Sequence, residues 1–513
     1  MIPGATPEKI GAGRSSVGSR HAAAVIAAVA VAGLALRLYL LAGPSHLGGI
    51  AEYDDAVYFG TSLLMSHGLW PYRNFVMVQP PGLPTLMLPL AFLAHATGTR
   101  AMLEVTRIVT CLVSALNIGL VGYLLRRLSI GSILAGTGFM AVYPSSVLTS
   151  QTLLLEPYLN LFVLLALALL LEEGSLARVW WRFLGAGVLL GMAGAIKTWA
   201  IMPAVVVAVV VGLASRRRLL LLAAGIAAGF ALLAGPFFLA NPQAFLREVV
   251  LDQFVRGGIR TPFGLRVGYL TGFAVSPVSG NPWAAATVGA LALGALTYPF
   301  VRMQTGLSQS ERIVLGSLAL VLVSMFVAPE FFYHYAAFVA PFVALGWGHA
   351  LVRLRAIPRD CLRVPRAALV PVSIGAMALA SMAHLEGSRV GLVDPSAAVR
   401  RVVPAGACVV TDTAEITILS DRFFSSSPGC PRIVDAFGTA LDYSGSVPPV
   451  DITTAPRRLE QFWVRSFSRA NYVVLSANNA ARIPWTPLVL GYLRGHFHLV
   501  SETGVSVFVR NSG

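Results

Sequence analysis

The run His21-Ala-Ala-Ala-Val-Ile-Ala-Ala-Val-Ala-Val-Ala-Gly-Leu-Ala-Leu-Arg-Leu-Tyr-Leu-Leu-Ala-Gly43 is followed, after seven intervening residues, by Ala51-Glu-Tyr-Asp-Asp-Ala-Val-Tyr58. The first stretch is long enough to cross a bilayer, which takes about 20 apolar residues. It exceeds a secretory h-region of about 7–15 residues and ends without an Ala-x-Ala cleavage site. It therefore reads as a retained first helix. The second stretch is acidic and sits where the chain leaves the apolar phase. Carboxylates at that depth are costly unless they serve a cavity, so the junction is the first place to look for chemistry.

The composition agrees with a membrane chain. Across 513 residues 56% are hydrophobic and 12% charged, and the mean hydropathy is +0.73. Soluble domains carry about a quarter charged residues. A net charge of +15 would suggest nucleic acid in a soluble chain. Here it reads as Arg-rich loops that orient spans by the positive-inside rule, and no nucleic-acid partner is expected. Lys9 and Lys197 are the only lysines, an Arg bias that hints at a GC-rich bacterial genome.

Eleven apolar segments are candidate spans: 22–43, 103–125, 129–149, 156–172, 182–198, 200–214, 219–241, 282–301, 312–329, 335–352 and 367–384. With Lys9, Arg14 and Arg20 inside, alternation puts each dense Arg cluster on the cytoplasmic face. Residues 83–98 are apolar but short and carry Pro84 and Pro89; counted as a span they would invert every later loop. They read as an interfacial helix on the outer surface. The pair 182–198 and 200–214 is short enough to be a broken hairpin. The organisation expected is a cytoplasmic tail (1–21), a polytopic α-helical membrane domain (22–384) with a first outer loop at 44–102, and a small extracytoplasmic α/β domain (385–513). In that domain Ala407–Val410, Tyr472–Leu475 and Val505–Val509 read as strands, and Pro456–Phe467 and Thr486–Gly495 as helices. Cys408 and Cys430 lie there, and a disulfide between them is one of two open readings in an oxidising compartment.

Beyond the acidic stretch come Ser66-His-Gly-Leu-Trp-Pro-Tyr-Arg73 and Gln79-Pro-Pro-Gly82. Together these resemble the GT-C superfamily of membrane glycosyltransferases, in the branch of the protein O-mannosyltransferases, the lipid A aminoarabinose transferase and rhizobial lipopolysaccharide sugar transferases. That branch carries an acidic dyad in its first outer loop, then a Tyr, a Gly-x-x-Pro-Tyr turn and a Pro-Pro-Gly element. Here these are Asp54–Asp55, Tyr58, Gly68-Leu-Trp-Pro-Tyr72 and Pro80-Pro-Gly82. Asp55 departs from the family's more common Glu. Weaker matches follow in order: Glu156, Lys197, the loop of Asp252, Gln253 and Arg256, and Phe332-Tyr-His-Tyr-Ala-Ala-Phe-Val-Ala-Pro341. The resemblance spans roughly residues 20–355.

The resemblance implies a sugar taken from a polyprenyl-phosphate carrier and passed, with inversion, to an envelope glycan, lipid or protein at the outer face of the cell membrane. Asp54 is the implied general base, with Asp55 beside it. The leaving phosphate needs cations, for which Lys197, Arg256, His334 and Arg37 are candidates, with Tyr58 and Glu156 as further binding residues. A divalent ion, Mg or Mn, at Asp55 and Glu156 is a further reading, since some superfamily members use one. Each residue also has a plainer role. Asp54 and Asp55 suit the start of a helix at Ala56, and Glu156 a helix N-terminus. Lys197 and Arg37 suit snorkelling, His334 an aromatic belt, and Arg256 a pair with Asp252. His384 reads as a boundary residue. A transporter or flippase is the competing function, but repeats of the kind those proteins use are not visible; a scaffold that displays the tail is the third.

Overall fold

The computed structural model describes residues 19–255, 261–272, 282–303, 306–357, 391–445, 455–476, 482–502 and 504–512. Arg256, the expected span 367–384 with His384, and most of the N-terminal tail lie outside these residues.

The first half is a chain of helices: α1 (Ser19–Leu41), α2 (Tyr53–Ser66), α3 (Gly82–Thr97), α4 (Thr99–Leu125), α5 (Ile130–Val142), α6 (Pro144–Leu148) and α7 (Leu155–Leu170). Then come α8 (Trp180–Ile196), α9 (Ile201–Ala214), α10 (Arg216–Ala240), α11 (Pro242–Leu246), α12 (Asp252–Val255), α13 (Phe263–Thr271), α14 (Pro282–Arg302), α15 (Gln309–Val327) and α16 (Ala340–Ala356). Among the described residues five helical segments are long and apolar enough to cross a membrane: Arg20–Leu41, Thr99–Leu125, Arg216–Ala240, Gln309–Val327 and Tyr333–Ala356. Five apolar helical segments, including α3, are shorter.

Local sequence sets where the helices break. The expected span 129–149 is two helices, because Tyr143 is extended (φ −62°, ψ 121°) ahead of Pro144; a residue before proline is pushed out of the helical region. The expected span 335–352 begins instead as a 3₁₀ turn, Tyr333–Phe338, and becomes α16 only at Ala340. Between α8 and α9 the helix stops at Lys197, which is extended (φ −149°, ψ 128°). Helices α8 and α10 approach through glycines. A Cβ on Gly187, Gly191, Gly225 or Gly229 would collide with the facing backbone at Leu222, Ile226, Leu184 or Val188 respectively. Small residues of this kind bring membrane helices together by van der Waals packing.

After a short hairpin of β1 (Leu171–Glu172) and β2 (Ser175–Leu176), the remaining strands lie in the tail: β3 (Val409–Thr411), β4 (Tyr472–Ser476), β5 (Phe497–Glu502) and β6 (Val505–Arg510). They form one sheet in the order β3-β4-β6-β5. β3 and β4 are parallel, Val409 facing Tyr472, and the other pairs are antiparallel. Helix Arg457–Arg469 packs Leu459, Trp463 and Phe467 under the sheet beside Val410 and Val473. Cys408 and Cys430 are joined by a disulfide, with Cα atoms 5.5 Å apart.

Candidate active site

Helix α2 starts from an extended Glu52 (φ −149°, ψ 130°), with Asp54 and Asp55 in its first turn, where acidic side chains complement the helix dipole. Successive helical residues point about 100° apart, so the two carboxylates leave on different sides. Asp54 is half-exposed, and one turn later the Tyr58 hydroxyl donates to its Oδ2 at 3.2 Å. Burial, then Asp54 and then Glu156 lift the Tyr58 phenol well above its ordinary range, so Tyr58 stays protonated in the field of those two carboxylates.

Glu156 stands in the first turn of α7 and is buried. Its Oε1 accepts from the Lys197 ammonium at 2.6 Å and lies 3.0 Å from His334 Nδ1. Lys197 comes from the break after α8, and its Nζ also lies 4.0 Å from the Tyr335 ring centroid and 4.8 Å from that of Trp199. The Pro-Pro-Gly element fixes this corner. An added Cβ on Gly82 would fall 2.5 Å from Ala195 O and 2.9 Å from Ile196 N, so only glycine lets α3 begin against the residues that lead into Lys197. On the near side of His334, the Tyr333 hydroxyl donates to Glu52 Oε2 at 2.7 Å. Burial first, and then Asp54, raise the Glu52 carboxyl above its usual range.

Asp55 takes the other direction. Its side chain and those of Arg107 and Glu415 are completely buried. Arg107, from α4, donates Nε to Asp55 Oδ2 at 2.8 Å and Nη2 to Glu415 Oε1 at 2.8 Å. Its Nη1 donates to the carbonyls of His46, Leu47 and Gly49. Asp55 Oδ1 accepts from the Leu153 N–H at 3.1 Å. Burial raises both carboxyl groups against the pull of Arg107, that of Glu415 to about 8. One cation with two carboxylates in a dry site favours holding a proton on the pair.

Overlap with solved structures decides the fold. ArnT from Cupriavidus metallidurans, bound to undecaprenyl phosphate, superposes with a TM-score of 0.59 at 13% identity over 94% of this chain and 97% of its own. An Archaeoglobus fulgidus oligosaccharyltransferase tethered to an acceptor peptide gives 0.53 at 14% identity over 97% and 75%. The mycobacterial arabinofuranosyltransferase AftD gives 0.51 at 16% over 95% and 40%. The chain has the GT-C fold. No protein-family model and no curated protein matches the sequence.

On this GT-C fold the sequence candidates separate into groups. Tyr58 meets Asp54, and Lys197 and His334 meet on Glu156. Asp55 and Glu156 turn to different partners, Asp55 to Arg107 and Leu153, and Glu156 to Lys197 and His334. Among the described residues no group of three or more His, Cys, Asp or Glu side chains is arranged to hold a metal ion. Arg37 is not part of a phosphate seat either. It is buried, and its Nη atoms donate to the carbonyls of Gly33, Met140, Ala141 and Ser146, tying α1 to the α5–α6 break. Sequence reasoning passed over Glu52, Tyr333, Arg107 and Glu415. Glu52 was visible beside the dyad, and a lone arginine inside an apolar span is itself a signal.

Proposed function

We propose that the chain is a glycosyltransferase of the outer face of the cell membrane. It takes a sugar from a polyprenyl-phosphate carrier and passes it to an envelope glycan, lipid or protein. The observation that carries this reading is a half-exposed carboxylate, Asp54, bonded by Tyr58, whose phenol also feels Glu156, the carboxylate that pins a lysine and a histidine. In this reading the N-terminus is cytoplasmic and the tail extracytoplasmic, which brings the first turn of α2 to the outer interface.

The acceptor hydroxyl gives its proton to Asp54 as its oxygen bonds to C1 of the sugar from the side opposite the phosphate. The C1–O bond to phosphate breaks, its electron pair stays on the lipid phosphate, and the configuration inverts. Lys197 supplies positive charge where negative charge grows. Glu156 keeps Lys197 and His334 side by side, and Arg256 is a further proposed cation. No step is routed through a divalent ion.

The test is transfer by purified protein in proteoliposomes from labelled decaprenyl-phosphate mannose or arabinofuranose, with mass spectrometry of envelope glycans from a deletion strain naming the missing linkage. Counterflow of the lipid-linked sugar without any transfer product, together with an unchanged glycan profile, would replace the transferase by a flippase.

A further inference from the structure

We propose that the C-terminal domain is a working part of the transfer site: Glu415 is a positioning residue that, with Arg107, sets the turn of α2 from which Asp54 projects. The inference rests on the transferase reading for its kinetic consequence, though not for its geometry.

The tail holds the α2 turn on both sides of Asp54. The Ala51 N–H donates to Glu415 Oε1 at 2.7 Å. The Tyr53 hydroxyl donates to Asp435 Oδ1 at 3.0 Å and accepts from the Phe437 N–H at 2.9 Å. The guanidinium carbon of Arg482 lies 3.7 Å from the centre of the Tyr53 ring. Asp55 is fixed through Arg107, whose Nη2 serves Asp55 and Glu415 together. Both immediate neighbours of Asp54 are thus tied to the tail or to an arginine the tail binds. One turn further, the tail packs on α2 itself: an added Cβ on Gly60 would touch Val434, Phe423 and Ile418.

The tail is equally fastened to α4, which carries Arg107. Thr99 Oγ1 donates to Ile418 O at 2.7 Å, the Arg100 N–H donates to Asp421 Oδ1 at 3.0 Å, and the Arg100 guanidinium pairs with Asp394 at 3.0 Å. A flexible display module would not place a carboxylate with no exposed surface at the end of such a docking face. A buried ion cluster gives little net stability, because desolvation offsets attraction, but it constrains geometry strongly. Asp54 is the group that gains from that constraint, since a catalytic base misplaced by about 1 Å can lose about a hundredfold in rate.

The experiment compares Glu415→Ala, Glu415→Gln and Tyr53→Phe in the full chain. Transfer is measured with labelled decaprenyl-phosphate mannose and arabinofuranose, and backbone hydrogen exchange is followed over residues 50–58. Glu415→Ala is expected to lower kcat by about 10- to 100-fold while KM for the lipid donor stays within about twofold, with faster exchange at 51–56. Glu415→Gln, which keeps an acceptor for Ala51 and Arg107, restores most of the rate. Wild-type kcat in Glu415→Ala, or unchanged exchange at 51–56, overturns the proposal. If Glu415→Ala does not fold, Tyr53→Phe carries the same test from the edge of the contact, with the same two outcomes. Should the wild-type chain transfer neither sugar, the transferase reading is what suffers; faster exchange in Glu415→Ala still sustains the positioning role, and unchanged exchange still sinks it.

Discussion

Asp54 and Asp55 are adjacent, chemically identical and in the same helical turn, yet they live in opposite surroundings. Asp54 is half-exposed and meets one neutral donor, Tyr58. Asp55 is sealed against Arg107 and Glu415. The first arrangement leaves a carboxylate able to accept a proton from something that arrives; the second spends a carboxylate on holding three segments together. One side of α2 carries Asp54 and Tyr58, and the other faces the tail. The lesson is that an acidic dyad need not be a pair of reagents. In the proposed mechanism one member does chemistry and the other decides where it is done.

The sharpest way to break this contrast is to make the same change one residue apart. Asp54→Asn is expected to lower transfer by about 10²–10⁴-fold, the usual worth of a general base, with an unaltered melting temperature. Asp55→Asn should do the reverse, lowering the melting temperature while leaving a measurable rate. Equal rate losses in the two variants, at equal stability, would make the dyad a pair of reagents after all.

Removing the shared cation tests the buried side directly. Arg107→Ala strands two carboxylates out of water, and breaking a buried pair in this way costs about 3–5 kcal/mol. Thermal unfolding in detergent should show a large loss. The double change Arg107→Met with Glu415→Leu, which leaves one buried carboxyl group in place of two, should recover part of it. No recovery would mean that carbonyl capping of His46, Leu47 and Gly49, rather than charge balance, is what Arg107 supplies.

The Glu156 cluster has its own cation. Lys197→Met is expected to lower kcat/KM for the lipid donor by about 2.7–4 kcal/mol, the range seen for lost oxyanion donors. Lys197→Arg should keep part of the activity through bidentate phosphate contact. An unchanged kcat/KM in Lys197→Met would assign the lysine to neutralising Glu156 alone.

How far these two sides could be read from sequence differs for a physical reason. Asp54, Tyr58, Glu156, Lys197 and His334 fall in short local motifs near the ends of apolar runs, and the resemblance to the GT-C superfamily names them there. The structure brings Tyr58 to Asp54, and Lys197 and His334 to Glu156. The partnership of Arg107 with Glu415 joins residues 308 positions apart, and nothing local announces it. Arg107 sat unremarked in the apolar run 103–125, and Glu415 was not singled out in a tail read as a separate domain. Arg37 misled for the opposite reason. Its position near an outer helix end fits a phosphate ligand, but four backbone carbonyls, two of them freed where Tyr143 and Pro144 break a helix, claim its donors. The count of spans was legible only as a hydropathy pattern. The break at Tyr143 and the extended residue at Lys197 depend on proline and on packing, which hydropathy does not see.

The smallest expected effect concerns pH, and its sign follows from Glu415. In the unfolded chain this carboxyl ionises near 4.5, whereas burial in the folded protein, beside Asp55, raises it to about 8. Between those values the folded state holds a proton that the unfolded state has released. Stability therefore falls as pH rises through this window and levels off above it. Asp55, raised by the same burial, acts in the same direction. So does Glu248, buried beneath the Met77 N–H and also raised to about 8, so the wild-type slope has more than one source. The informative quantity is the difference between wild type and Glu415→Gln in melting temperature from pH 5 to 9. The glutamine cannot ionise, so the variant should lose less stability with rising pH, and the two curves should draw together toward the acid end. Parallel curves would mean that Glu415 enters the folded protein already ionised, fully compensated by Arg107. The tail would then be held by a salt bridge rather than by a shared proton.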